Sequence, residues 1–160
     1  MLKFVIDKRN KNKYNIGNEK IFAYATLNGN LQSMKWLKEN GCKWNCLTFN
    51  FAAKNGNLEN MKWLKNNGCA MDNSQFGTFY YAVGNGNLEN MKWLLNNGCK
   101  FYIYVFAEAA KKGNLENMMW LLESGFQLDY LTFETAAYRG NLEIMERLLE
   151  NGCPISDHIR

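Results

Sequence analysis

Proline occurs once in the chain, at Pro154, and histidine once, at His158. So few proline breaks favour helices joined by glycine turns. A single histidine in the last three residues is no candidate general base. Paired carboxylates, a nucleophile elbow and a phosphate-cradling glycine loop are all missing, so no enzyme, no catalytic residue and no cofactor is expected. Cys46 follows Cys42 at short spacing, but neither a second cysteine pair nor a nearby histidine accompanies them, so no metal site is expected. No run approaches the ~18 apolar residues of a membrane span. The apolar patch in MLKFVIDKRN, at 1–10, is too short for a secretory signal. A cytoplasmic location is therefore expected.

Excess charge is also missing from most of the chain. The net charge is +4. Residues 1–20 account for it, with Lys3, Lys8, Arg9, Lys11, Lys13 and Lys20 against Asp7 and Glu19. The remainder holds 13 basic and 13 acidic residues and lacks a field of the kind that tracks phosphates. The basic stretch at 1–19 reads as a solvated leader or partial cap rather than a nucleic-acid arm. Arginine is scarce, four among 19 basic residues, while asparagine reaches 24, a bias that points to an AT-rich genome. Apolar residues at 47% and charged residues at 21% are compatible with a buried core.

What the chain does have is repetition. Residues 55–69 read NGNLENMKWLKNNGC and residues 85–99 read NGNLENMKWLLNNGC, with 14 of 15 letters in agreement. The triplet Gly-Asn-Leu recurs at 29–31, 56–58, 86–88, 113–115 and 140–142, at spacings of 27, 30, 27 and 27. Fixed self-similarity of this period marks a stacked repeat protein. Each copy opens with a short helix that begins on phenylalanine and carries small residues three and four later, as in FNFAAKN at 49–55, FAEAAKK at 106–112 and FETAAYR at 133–139. These positions share one face. A Gly-Asn turn follows, glycine ending one helix and asparagine tolerating the turn or capping the next helix. The second helix, LENMKWLKNN at 58–67, aligns Leu58, Met61 and Leu64 and places Glu59 in the first turn, where the helix dipole favours it. Asn-Gly or Ser-Gly stops it. A tail of Cys, a variable residue, an apolar residue and Asn or Asp follows, and Asn45, Asp72 and Asp129 are candidate caps for the next first helix. One helix pair cannot bury its own stripe, and five stacked copies meet the usual need for about three. The expected repeats are 20–45, 46–72, 73–102, 103–129 and 130–156, with a tail at 157–160.

The pattern A-A-x-x-G-N-L-E-x-M-K-W-L-x-x-N-G-C resembles the ankyrin repeat over residues 20–156. The 27-residue version with Trp-Leu and Asn-Gly-Cys is similar to the short ankyrin repeats of giant DNA viruses and some protists. The resemblance implies an all-α solenoid of five helix–turn–helix repeats. The family's projecting β-hairpin finger is here cut to CLT at 46–48, IYV at 103–105 and YLT at 130–132; NSQFGT at 73–78 is the longest remnant and the one place for a stub. The family's Thr-Pro-Leu-His motif is absent, so its hydrogen bonds must be made otherwise.

Trp36, Trp63, Trp93 and Trp120 share one repeat position, off the main stripe, and read as a ladder between second helices rather than a base-stacking surface. Arg147 replaces the tryptophan in repeat five, a polar change suited to an end cap. Cys42, Cys69, Cys99 and Cys153 share another position and read as small buried hydrophobes. They stand one repeat apart, too far for disulfides, and free thiols fit a reducing compartment.

Partner contacts are sought where packing does not dictate the residue. On the first helices that is the face opposite Phe and Ala, at two, five and six residues past the phenylalanine. It comprises Tyr24, Leu27 and Asn28; Phe51, Lys54 and Asn55; Tyr81, Gly84 and Asn85; Glu108, Lys111 and Lys112; Thr135, Tyr138 and Arg139. Aromatic and basic groups are enriched at interface hot spots. The linkers add Lys43, Asn73, Gln75, Lys100, Tyr104 and Tyr130. The resemblance places a protein partner on this same concave side. The bland reading is that the first of the three positions packs between repeats and the others are only solvated. The leading expectation is a monomeric protein-interaction scaffold, engaging a host protein if the viral branch is right. The alternatives are a nucleic-acid-binding module using the basic leader and tyrosines, and a structural fragment of a longer solenoid.

Overall fold

A computed structural model describes residues 19–102 and 104–156. The leader apart from Glu19, and the 157–160 tail with His158, lie outside the described residues. Ten helices and no strands are found among the described residues. They run in pairs: α1 (Glu19–Leu27) with α2 (Leu31–Glu39), α3 (Cys46–Asn55) with α4 (Leu58–Asn66), α5 (Thr78–Asn85) with α6 (Leu88–Asn96), α7 (Val105–Lys112) with α8 (Leu115–Glu123), and α9 (Tyr130–Tyr138) with α10 (Leu142–Glu150). First helices pack on one another in order, α1 on α3, α3 on α5, α5 on α7 and α7 on α9. Second helices pack chiefly on their own first helix. The close approach follows from composition: Phe49, Phe79 and Phe106 are buried beside Ala52 and Ala53, Ala82 and Val83, and Ala109 and Ala110. Small residues let the neighbouring helix come near, so the first helices form the tighter, inner row. The second helices bury Met61 and Leu64, Met91 and Leu94, and Met118 and Leu121.

Each second helix is capped by the asparagine of its Gly-Asn turn. The side chains of Asn30, Asn57, Asn87, Asn114 and Asn141 accept from the amides of Ser33, Asn60, Asn90, Asn117 and Ile144. The preceding glycine does two jobs at once. Gly56 has φ +84°, and a Cβ there would meet the Asn85 amide at 2.5 Å. Asn85 occupies that space to donate to the carbonyl of Lys54 at 3.2 Å, as Asn55 donates to Leu27 at 3.0 Å.

A second asparagine series lies inside the stack. Asn90 donates to the carbonyl of Gly56, and Asn117 to that of Gly86, both at 2.7 Å and both buried. Asn60 holds the equivalent position and is fully buried, but neither atom of its amide makes a hydrogen bond. Repeat five has Ile144 there. Replacing Asn90 by Ile is therefore expected to cost about 1–3 kcal/mol, because the Gly56 carbonyl loses its donor. The same change at Asn60 is expected to be neutral or stabilising. Urea midpoints of the two variants, compared with the parent, check the contrast.

The linkers differ from the sequence expectation at Asp72. Asp129 caps α9 by accepting from the Thr132 amide, and Asn45 stands at the N-cap of α3. Asp72 does not cap α5, because the longer linker puts Gly77 at that position. Its backbone carbonyl instead accepts from the Thr78 amide at 2.9 Å. Its carboxylate accepts from the Asn50 amide at 3.0 Å and from the Ser74 amide at 2.9 Å. Burial alone would raise the Asp72 pKa, but these bonds outweigh it and hold it below the ordinary value. Thr78 donates to the Asn50 side chain at 2.8 Å and completes the tie between repeats two and three. Together these bonds hold the 73–78 linker against the first helix of repeat two. No hairpin finger forms over the described residues.

The tryptophans are not a ladder. Among the described residues no ring contact joins two of the four. Trp63 lies instead on Phe22 and Trp44 of the preceding repeat, at 6.5 and 6.0 Å. Trp36, with no described repeat before it, is 44% exposed. Cys42, Cys69, Cys99 and Cys153 are buried and form no disulfide among the described residues, and Cys46 is exposed. Burial pushes Cys69 and Cys99 up to about 12 and Cys153 to about 11, which leaves them protonated and unreactive. In repeat four Phe126 takes the cysteine position and stacks on Phe101 at 3.7 Å and on Phe79 at 5.7 Å.

Candidate functional site

The inner row carries a line of rings. Tyr24 stacks on Phe51 with centroids 6.4 Å apart, and Phe51 meets Tyr81 edge-on at 6.4 Å. Tyr81 meets Tyr80 at 6.2 Å, Tyr80 meets Phe76 at 5.2 Å, and Phe76 stacks on Tyr104 at 5.9 Å. The line thus crosses from the helix face to the linker side. Tyr24 is 61% exposed and Phe76 55%, while Phe51, Tyr81, Tyr80 and Tyr104 are half-buried. Phe76 sits on the linker remnant of repeat three. Beside it, Gln75 lines a cavity of about 500 Å³ together with Phe101, Tyr102, Tyr104, Phe126 and Gln127.

Beyond Tyr81 the row turns polar. Glu108 occupies the position of Phe51 and Tyr81, but it is only 9% exposed. Its Oε2 accepts from the Tyr80 hydroxyl at 2.9 Å and from Lys111 Nζ at 3.3 Å. Burial and this bond push the Tyr80 phenol up to about 12, so it stays a donor. Glu108 therefore organises the row from within rather than presenting a free carboxylate. Lys54, Lys111, Lys112, Tyr138 and Arg139 are exposed, Tyr138 to 87%.

Besides Glu108, three of the expected contact residues serve the stack. Asn55 and Asn85 donate to the carbonyls of Leu27 and Lys54, and Asn73 Oδ1 accepts from the Lys100 amide at 2.8 Å. Position two past the phenylalanine is partly packed between repeats, as Phe51, Tyr81 and Thr135 are half-buried. Sequence reading passed over Phe76 and Tyr80. The available signal was the 30-residue spacing at repeat three, which marks an insertion that carries an aromatic residue.

These features define a helix–turn–helix solenoid with an aromatic and basic inner face. The family model described as ankyrin repeats (3 copies) matches residues 22–105 and 79–158. The chain belongs to the ankyrin repeat family. Ankyrin repeats are generally protein–protein interaction modules. Among solved structures, the chain is similar to the human ASB11 ankyrin repeat domain, with a TM-score of 0.66, 21% identity, and coverage of 83% of this chain and 69% of that one. That likeness speaks to the fold. No curated protein sequence matches the chain. No helix among the described residues is long and apolar enough to cross a membrane.

Proposed function

We propose that the protein is an interaction scaffold that binds a protein partner along its inner face, through the rings of Tyr24, Phe51 and Tyr81 and the basic groups of repeats four and five. The observation that carries this reading is the continuous line of touching rings, two of them more than half exposed, on the row where the family generally binds. A set of aromatic side chains already packed against one another loses little side-chain entropy on binding. The short repeats, similar to those of giant DNA viruses, make a host cytoplasmic protein the first partner to search for.

Quantitative affinity capture from host lysate tests the reading, with the parent compared against Tyr81→Ala combined with Lys111→Glu. The prey that bind this face are expected to be depleted about tenfold or more in the variant. Equal recovery of every prey by both proteins would remove the inner face from consideration.

A further inference from the structure

The two rows of helices differ in charge. The second helices mix both signs, with Glu59, Glu89, Glu116 and Glu143 in their first turns and bases such as Lys62, Lys65 and Lys92 further along. On the first helices, every exposed charged side chain that is described is basic: Lys20, Lys54, Lys111 and Lys112, with Arg139 just beyond α9. The two acids of that row described to their side chains are Glu108, buried and bonded, and Glu134, half-buried. The bases cluster toward repeats four and five, and stacking does not require them there. Asn55 and Asn85 show what stacking uses at six residues past the phenylalanine: an amide that donates to the preceding repeat. Lys112 and Arg139 hold the same position, are exposed, and make no ion pair among the described residues. Lys111 and Arg139 line one groove of about 520 Å³ between α7 and α9, with Leu131, Glu134, Thr135 and Tyr138.

We propose that the partner is an acidic peptide segment, lying along the inner row with its carboxylates at Lys111, Lys112 and Arg139 and its apolar side chains on the rings of Tyr24, Phe51 and Tyr81. This inference rests on the inner-face reading and adds the partner's chemistry to it. Complementary charge steers such a segment and fixes its register, and the rings supply the apolar contact. Single-stranded nucleic acid fits less well. Its bases need open ring faces, whereas Phe51 and Tyr81 are half-buried and meet edge-on at 89°.

The test is selection from a random peptide library displayed on phage, panned on the full chain. Enriched peptides are expected to carry net negative charge together with aromatic or aliphatic residues. A synthetic copy of an enriched peptide is expected to lose about tenfold or more in affinity for Lys112→Glu combined with Arg139→Glu, with a smaller loss for the Gln pair, and to weaken with added salt. Circular dichroism confirms that the variants keep their fold. Enriched peptides that are neutral or basic, or that ignore both charge variants yet fail on Tyr24→Ala combined with Tyr81→Ala, overturn the acidic partner and leave the inner face standing. No enrichment, or peptides indifferent to the tyrosine variant as well, overturns both. Tighter binding of an oligouridylate than of any enriched peptide overturns the inference in favour of nucleic acid.

Discussion

Replacing Phe79 by alanine is expected to cost about 3–5 kcal/mol, the usual penalty for emptying a buried aromatic site. The ring is 1% exposed. It touches Phe101 at 6.1 Å within its own repeat and Phe126 at 5.7 Å in the next. The position matters as much as the side chain. In a linear stack the stability is approximately a sum of repeat terms and nearest-neighbour interfaces. Repeat three has neighbours on both sides, so a loss there weakens the link between the two halves of the molecule. Thermal unfolding monitored by circular dichroism is expected to move down by roughly 10 °C or more. Phe133→Ala is the control. That ring is 7% exposed and belongs to the last described repeat, so its loss is expected to fray α9 and α10 while repeats one to four hold. Amide exchange distinguishes the two, since only the Phe133 variant keeps protection in α3 to α6. Equal losses with one concerted transition for both variants would contradict a linear stack.

The fold was legible because its signals are local and repeated. The Gly-Asn turns, the capping asparagines and the Met and Leu stripes each act within a few residues of themselves, and five copies reinforce them. What escaped depends on contacts between repeats. Nothing within a second helix alone marks Asn90 or Asn117 as buried, and their burial becomes evident only when the Gly56 or Gly86 carbonyl of the preceding repeat arrives above them. Glu108 reads as a surface charge for the same reason, since its partner Tyr80 lies 28 residues earlier. The tryptophans misled in the opposite sense. Their shared position read as a ladder between second helices, but among the described residues no ring contact joins two of them, and Trp63 packs on Phe22 and Trp44 of the preceding repeat. Of the candidate face, the exposed bases and the ring positions at Tyr24, Phe51 and Tyr81 were readable from helical spacing. The extension through Phe76 was not, because it depends on how one irregular linker folds.

That linker rests on Gly77, and Gly77→Ala is expected to cost about 2–4 kcal/mol despite being a change of one methyl group. Conformational freedom is not the reason, since φ is −84° and open to any residue. The obstacle is contact. A Cβ would run into the Asp72 carbonyl oxygen and stand 2.9 Å from that of Ser74. Both oxygens are engaged: Asp72 accepts from the Thr78 amide at 2.9 Å, and Ser74 from the Gly77 amide at 3.0 Å. They cannot withdraw without breaking the turn that starts α5 and the tie from Thr78 to Asn50. Gly68→Ala separates this effect from the general penalty on glycine. At φ +81° with nothing within 4 Å of the added carbon, it carries only the left-handed backbone cost of about 1–2 kcal/mol. Urea denaturation of both variants measures the difference, and a smaller loss at Gly77 than at Gly68 would show that the turn yields. The consequence reaches the binding face. Displacing the turn lifts Phe76 from Tyr80 and Tyr104, and Tyr80 holds Glu108 in place. A Gly77→Ala protein that remains folded is therefore expected to bind its partner more weakly, although Gly77 itself is buried beneath the face.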